Sequence, residues 1–126
     1  MEYRRLGQSG LKVSEICLGT MTFGHGTDAE EAQRMVSLAL DAGVNMFDTA
    51  NSYGDGQSET MLGAALKSRR DQAILATKVF NPTGSGPNDS GSSRLHILRA
   101  VEDSLRRLQT DYIDLYYIHH VDDETP

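Results

Sequence analysis

Residues 43–63 read GVNMFDTANSYGDGQSETMLG, and this stretch decides the fold of the chain. The apolar run from Asn45 to Asp48 predicts a short buried strand, a polar turn with two glycines follows, and an amphipathic helix is predicted to open near Gln57. Asp48 closes the strand, and Tyr53 lies in the turn. Because the carboxyl ends of strands in parallel α/β proteins face the ligand crevice, this stretch predicts one half of an active site.

Apolar strands and amphipathic helices alternate on both sides of this stretch. Short apolar runs predict strands, and apolar residues at helical spacing behind a capping residue predict helices. The predicted elements, in chain order, are a hairpin over 3–13, a fully buried strand over 16–20, a helix between Thr27 and Gly43, a strand over 45–48, a helix from 57, a strand over 73–79, a loop over 81–93, a helix capped by Ser92 or Ser93, and a strand over 112–119. This order predicts a parallel α/β sheet with right-handed crossovers.

Two of the helices carry further signals. Thr27 is predicted to be the N-cap of the first helix because Glu30 follows it at capping-box spacing, and Gly43 lies where a left-handed terminator belongs. The spacing in the third helix predicts an apolar face made of Leu98, Val101, Leu105 and Leu108, and the ion pairs Glu102–Arg106 and Asp103–Arg107.

Composition bounds the classes of function. The chain of 126 residues, enough for one small domain, has 18 acidic and 12 basic residues and a formal net charge of −6, which argues against nucleic acid or an anionic membrane as its main partner. No apolar run approaches the roughly 20 residues of a membrane-spanning helix, and the polar N-terminus lacks a secretory apolar region. Cys17 is the only cysteine, so we expect no internal disulfide and a reducing, cytoplasmic location.

Four polar side chains are predicted to meet at the carboxyl rim of the sheet. Asp48, Lys78 and His119 come at the ends of three strands, and Tyr53 lies in the turn after the first of them. Each alone has an ordinary explanation as a turn residue, a surface cation or a polar terminus. Asp48 and Lys78 lie on neighbouring strands, however, where an ion pair is geometrically natural, and this rim is where active sites of parallel barrels lie.

This set of side chains predicts the reduction of a carbonyl group. An ammonium stabilises a phenolate, so Lys78 would make Tyr53 a better proton donor, and Asp48 would keep Lys78 charged and oriented. Tyr53 could then protonate a carbonyl oxygen to which His119 donates a hydrogen bond. No side chain supplies a hydride, so a nicotinamide cofactor is implied.

Other chemistries fit the sequence less well. The segment Gly54-Asp55-Gly56 begins like a dinucleotide-binding glycine motif but lacks the third glycine of that motif. His119 and His120 are adjacent on a segment predicted to be extended, so they should point to opposite faces, and no metal site is predicted. Cys17 lies in an apolar strand and is predicted to be a buried filler rather than a nucleophile.

The sequence is similar to that of a known protein family. It resembles the N-terminal half of the aldo-keto reductases in four stretches: RRLGQSGLKVSEICLGTMTFG (4–24), GVNMFDTANSYGDGQSETMLG (43–63), LATKVF (75–80) and TDYIDLYYIHH (110–120). The second and the fourth are the most specific. The N-terminal hairpin and the long glycine- and serine-rich loop resemble most the branch that contains bacterial reductases and potassium-channel β-subunits.

The resemblance implies a fold and an activity. The family fold is a TIM barrel, (β/α)₈, of which residues 1–126 would be the N-terminal half, with four parallel strands and three helices and an end before the fourth helix. The implied activity is the NADPH-dependent reduction of small aldehydes or ketones to alcohols. The catalytic set of the family maps onto Asp48, Tyr53, Lys78 and His119.

The resemblance also implies which residues bind the cofactor. Gly19, Thr20 and Met21 would lie against the nicotinamide ribose side of NADPH, together with Asp48. Contacts to the nicotinamide amide and to the 2′-phosphate would come from the second half of the barrel, so the choice between NADPH and NADH lies outside this chain.

Two further readings remain open beside the enzyme. The chain could belong to a regulatory or binding subunit of the same fold, as potassium-channel relatives keep the catalytic set, or it could be a fragment that is inactive in isolation. A parallel half-barrel also leaves its first and fourth strands as open edges, so we expect self-association of the isolated chain.

Overall fold

A four-stranded parallel sheet packed against three helices forms the body of the molecule, in a computed structural model that describes residues Met1–Pro126. The strands of this sheet, hydrogen-bonded in chain order, are β3 (Cys17–Gly19), β4 (Met46–Asp48), β5 (Ile74–Val79) and β6 (Leu115–Ile118). A separate antiparallel hairpin consists of β1 (Tyr3–Arg5) and β2 (Lys12–Ser14). The predicted parallel α/β sheet and the N-terminal hairpin are both confirmed.

The helices follow the strands at the predicted places. They are α1 (Ala29–Asp41), α2 (Gln57–Leu66) and α3 (Arg94–Leu108), and short 3₁₀ segments cover Tyr53–Gly56 and Lys67–Gln72. Their apolar faces and the sheet enclose one core, in which Phe47 and Leu75 from the strands meet Val36, Leu62 and Leu66 from the helices. None of the helices is long and apolar enough to cross a membrane.

The register of the sheet places the carboxyl ends of neighbouring strands side by side. Gly19 pairs with Asp48, Asp48 pairs with Ala76, and Ala76 pairs with Leu115. Because side chains alternate between the two faces of a strand, Lys78 lies on the same face as Ala76 and Asp48, two residues nearer the carboxyl end of β5. Parallel pairing therefore places the candidate carboxylate and ammonium on one face of neighbouring strands.

The first helix begins one residue later than the sequence predicted. Asp28, rather than Thr27, is the N-cap: its backbone is extended and its carboxylate accepts the backbone N–H of Glu31 at 2.9 Å. Only the half of the motif that the Asp28 carboxylate supplies is formed, because the Glu31 carboxylate bonds Arg34 instead of the N–H of Asp28. The predicted terminator is confirmed, because Gly43 has φ +90° and the N–H groups of Gly43 and Val44 bond the last turn in a Schellman motif.

The buried face of α3 differs from the predicted one. Ser93 is confirmed as its N-cap, but Leu98 is 45% exposed and only one member of the predicted stripe, Leu108, is fully buried. The residues that face the core are spaced four apart: His96, Ala100, Ser104 and Leu108. Leucine spacing alone therefore predicts the wrong face of α3.

One of the two predicted ion pairs of α3 is also wrong. Arg106 pairs with Glu102 at 3.7 Å and with Asp103 at 2.5 Å. Arg107 does not contact Asp103 and instead reaches Glu59 of α2 at 2.6 Å. Arg107 therefore pairs with Glu59 of another helix instead of with Asp103 of its own helix. A nearby cation stabilises a buried carboxylate more than it stabilises an exposed one.

The strand β3 is exposed, contrary to the prediction that it is fully buried. Ile16 is 57% exposed and Cys17 is exposed as well. The reason is topological, since β3 is an edge strand with β4 as its only neighbour in the parallel sheet. Cys17 is therefore not a buried filler. The other edge is β6, and the expected self-association of the isolated chain through these edges stays a prediction.

The closest helix contact yields a test of the packing. Gly63 of α2 faces the backbone of Leu108, which a Cβ at position 63 would overlap. We expect Gly63→Ala to lower the free energy of unfolding in urea by about 1–3 kcal/mol, despite the better helix propensity of alanine. The matched control is Gly10→Ala, where a Cβ would meet nothing within 4 Å. Equal stability of the two variants would contradict the close approach of α2 and α3.

Candidate active site

An ion pair between Lys78 and Asp48 forms the centre of the candidate site. Lys78 Nζ lies 2.6 Å from Asp48 Oδ2 and also donates to the carbonyl of Thr49 at 2.8 Å. The same ammonium lies 3.3 Å from the hydroxyl of Tyr53. Since two acceptors fix its position, the Lys78 charge is held directly against the phenol. The structure thus brings together three of the four predicted catalytic side chains in hydrogen-bond contact.

The turn that carries Tyr53 has an unusual backbone. Gly54, Asp55 and Gly56 follow one another with φ values of +57°, +53° and +91°. Glycine adopts this left-handed region freely, and aspartate tolerates it better than most residues. A Cβ at Gly54 would also lie 3.0 Å from the carbonyl of Phe23, so the turn packs tightly against the loop after β3. This conformation shapes the turn directly after Tyr53, whose hydroxyl lies against Lys78 of β5.

The fourth predicted residue, His119, lies beside the phenol. Its backbone N–H bonds the carbonyl of Val79 at 2.8 Å, and its ring meets the Tyr53 ring edge-on at 5.8 Å between centroids. The side-chain amide nitrogen of Asn81 lies 3.4 Å from His119 Nδ1. With the Asn81 amide in this orientation its nitrogen donates to Nδ1, which places the ring proton of a neutral imidazole on Nε2.

The environment favours the neutral form of His119. Burial lowers the pKa of the imidazole from its ordinary value, and the positive charge of Lys78 and the neighbouring His120 lower it further, against a smaller opposing effect of Asp48. A neutral imidazole with its proton on Nε2 is a hydrogen-bond donor that brings no second positive charge beside the ammonium.

The two adjacent histidines do not point to opposite faces, contrary to the prediction. Their rings stack, with centroids 4.8 Å apart and an angle of 3° between planes. The strand β6 ends at Ile118, so the alternation of an extended strand does not apply to His119 and His120. Phe80 meets His120 edge-on at 5.3 Å. The surface beside Tyr53 and His119, called the crevice below, is therefore bordered by aromatic rings.

The residues predicted to bind the cofactor differ in their surroundings. Gly19 lies on the open edge with nothing within 4 Å of a Cβ placed there, and Met21 is 64% exposed. Thr20 is fully buried, and its hydroxyl and backbone N–H both donate to the carbonyl of Asp48 at 3.0 and 2.9 Å. Thr20 thus fixes the end of β4, while Gly19, which pairs with Asp48 in the sheet, and Met21 are exposed. Asp48 Oδ1 makes no hydrogen bond within the chain.

Sequence reasoning missed a buried polar network at the start of α2. Glu59 has no exposed side-chain surface, and its two oxygens accept from Thr77 Oγ1 and Arg107 Nε, each at 2.6 Å. Ser58 Oγ lies 2.8 Å from the hydroxyls of both Thr20 and Thr49. A serine and a glutamate in the first turn of a helix ordinarily indicate capping. The sequence alone therefore does not show that Ser58 and Glu59 face the core.

The region around Glu59 excludes water. The hydroxyl of Tyr116, which lies across from Thr77 on β6, is buried without a hydrogen-bond partner. Burial raises the pKa of Tyr116 to about 12, and the negative charge of Glu59 contributes to this rise. In such surroundings a carboxylate is stable only with close partners, which Thr77 and Arg107 provide.

Comparison with known proteins agrees with this geometry. The family model described as "Aldo/keto reductase family" matches residues 15–126. The whole chain is 49% identical to the uncharacterized oxidoreductase YrpG of Bacillus subtilis (strain 168) and covers 42% of it. It is 43% identical to probable voltage-gated potassium channel β subunits of Oryza sativa subsp. japonica and Arabidopsis thaliana, and covers 39% of each.

A solved structure shows the same fold. An aldo-keto reductase from Bacillus halodurans in its holo form superposes with a TM-score of 0.90 at 46% identity, over all of this chain and 42% of that one. The chain thus spans about two fifths of the length of the curated relatives it matches. The sheet and helices described above are accordingly part of a TIM barrel, and the chain belongs to the aldo/keto reductase family of oxidoreductases.

Proposed function

We propose that the protein containing this chain reduces aldehydes or ketones to alcohols with NADPH, and that Tyr53 is the proton donor. The observation that carries the proposal is the position of Lys78 Nζ, 2.6 Å from Asp48 and 3.3 Å from the phenol oxygen. An ammonium held in this way stabilises the phenolate that forms when Tyr53 gives up its proton.

Each member of the set has a distinct part in the proposed chemistry. Asp48 and the carbonyl of Thr49 hold the ammonium of Lys78 in place, so no reorganisation is needed as charge develops on Tyr53. A substrate carbonyl between Tyr53 and His119 would accept hydrogen bonds from the phenol and from Nε2–H of the imidazole. These two donors polarise the carbonyl, and Tyr53 then transfers its proton to the oxygen.

The residues at the crevice fit a nicotinamide cofactor. Asp48 has one oxygen on Lys78 and the other free to accept a bond from a ribose hydroxyl, and Gly19 and Met21 leave open space beside it. When bound, the cofactor would supply the hydride that no side chain can provide. The preference for NADPH over NADH rests on the family resemblance. The single cysteine, Cys17, suits the reducing, cytoplasmic location that we also propose.

A regulatory or binding subunit is the second candidate function. It is favoured by the similarity of the whole chain to probable potassium channel β subunits. The two candidates differ in turnover, since an enzyme consumes NADPH in the presence of a carbonyl compound and a purely regulatory subunit does not. A third possibility, that the 126-residue chain is inactive in isolation, is tested by the same assay on the chain alone.

The role of Tyr53 is testable by removing one oxygen. We expect Tyr53→Phe to lower the rate of carbonyl reduction by about 10²- to 10⁴-fold, the usual effect of losing a general acid. Cofactor affinity, measured by fluorescence titration, should change little. The matched control is Tyr112→Phe, since Tyr112 packs on Arg70 away from the crevice. Unchanged turnover in Tyr53→Phe would remove the assigned proton donor.

The lowered pKa of His119 predicts a pH-dependent stability difference. As pH falls through the ordinary histidine value of 6.5, the unfolded chain takes up this proton before the folded chain does. His119 therefore destabilises the folded state at acid pH and has no such effect above neutrality. Between about pH 7.5 and about pH 5, the thermal midpoint of the unmodified protein should fall further than that of His119→Gln. Parallel falls would show that the folded-state pKa is not lowered.

A further inference from the structure

The first turn of α2 connects the ends of three strands that form the site. Ser58 Oγ donates to the carbonyl of Thr20, which follows β3, at 2.7 Å and lies 2.8 Å from the hydroxyl of Thr49, which follows β4. The next residue, Glu59, accepts from Thr77 on β5. Two consecutive buried side chains thus hold β3, β4 and β5 at their carboxyl ends.

The contacts of Glu59 lead directly to Lys78. Thr77 and Lys78 are consecutive in β5, so their side chains point to opposite faces of the sheet. Fixing Thr77 from the helix side therefore fixes the backbone from which Lys78 extends into the crevice. Similarly, Ser58 fixes Thr49, whose carbonyl accepts one of the three bonds made by the Lys78 ammonium.

Core packing alone does not require a charge at position 59. A fully buried carboxylate is costly to desolvate, and an apolar side chain of similar volume often serves stability as well or better. The carboxylate of Glu59 pairs with Arg107 of α3, whose side chain is 30% exposed. The charged pair instead provides what an apolar side chain lacks, which is a directional bond of 2.6 Å to one atom of β5.

We propose that Glu59, supported by Ser58 and Arg107, is a positioning residue that holds the ammonium of Lys78 in line with Asp48 and Tyr53. It touches neither the crevice nor the reacting atoms and acts through Thr77 and the strand β5. The consequence for turnover rests on the proposed function, whereas the consequence for the Lys78 ammonium does not.

The experiment compares Thr77→Val, which removes the hydroxyl at nearly constant shape, with Thr77→Ser, which keeps it. Glu59→Gln serves as a second variant that retains the shape but not the charge. The matched control is Asp114→Asn, which removes a carboxylate of similar character: Asp114 bonds Arg70 and the N–H of Leu75 at the other end of the sheet. Urea unfolding reports the stability of every variant.

The direct readout is the side-chain ammonium signal of Lys78 in heteronuclear NMR spectra of nitrogen-labelled protein. This signal is observable only while hydrogen bonds protect the ammonium from rapid exchange with water. We expect it in the unmodified protein, in Thr77→Ser and in Asp114→Asn, and we expect its loss in Thr77→Val and Glu59→Gln. Its persistence in both of these variants, or its absence from the unmodified protein, would overturn the proposal.

The kinetic readout is the steady-state reduction of a model aldehyde with NADPH. We expect kcat to fall by about tenfold to a hundredfold in Thr77→Val and Glu59→Gln, with little change in KM for the cofactor. Thr77→Ser should restore kcat. A loss of kcat in Asp114→Asn as large as in Glu59→Gln at equal stability would overturn the positioning role. An unmodified protein that shows the Lys78 signal but no turnover would contradict the proposed function alone.

Discussion

Lys78 carries its ammonium on a side chain that is only 14% exposed, and Asp48 supplies the carboxylate that balances it at 2.6 Å. Removing one partner of such a pair leaves an uncompensated charge away from water, which is far more costly than losing a surface ion pair. The register of β4 and β5 must therefore keep Asp48 and Lys78 on the same face. The carbonyl of Thr49 and the phenol of Tyr53 both take their places around this charge.

A second ion pair, between Arg70 and Asp114, lies at the opposite end of the sheet, at the amino ends of the strands. Arg70 also donates to the carbonyls of Ala73 and Tyr112, so its guanidinium closes the amino ends of β5 and β6. Two of its four hydrogen bonds go to these carbonyls and the other two go to Thr110 Oγ1 and Asp114 Oδ2, so the guanidinium joins the two strands to the segment before β6. The Lys78 ammonium, in contrast, lies against the phenol hydroxyl of Tyr53 at the carboxyl rim. Under the proposed function, stability and chemistry would be divided between the two rims, as is usual in parallel barrels.

Local signals predicted the elements well and predicted tertiary polar contacts poorly. The strand that ends at Asp48, the glycine terminator at Gly43 and the pairing of neighbouring strands all follow from short-range patterns, and all are confirmed. The roles of Glu59 and Arg107 could not be predicted, because an exposed and a buried charge have the same sequence signal until the helices are placed. The same limit explains the wrong predictions for Cys17 and His120. The exposure of Cys17 and the stacking of His120 on His119 both depend on where the sheet ends.

The turn at Gly54, Asp55 and Gly56 has a consequence for how the crevice can diversify. The direction of this turn is set by three left-handed backbone conformations and so depends little on which side chains surround it. Neighbouring positions, such as the loop around Pro82, are consequently free to change in size and polarity while the phenol of Tyr53 keeps its place. Under the proposed function, the backbone of the turn would keep the proton donor in place while such neighbouring positions varied.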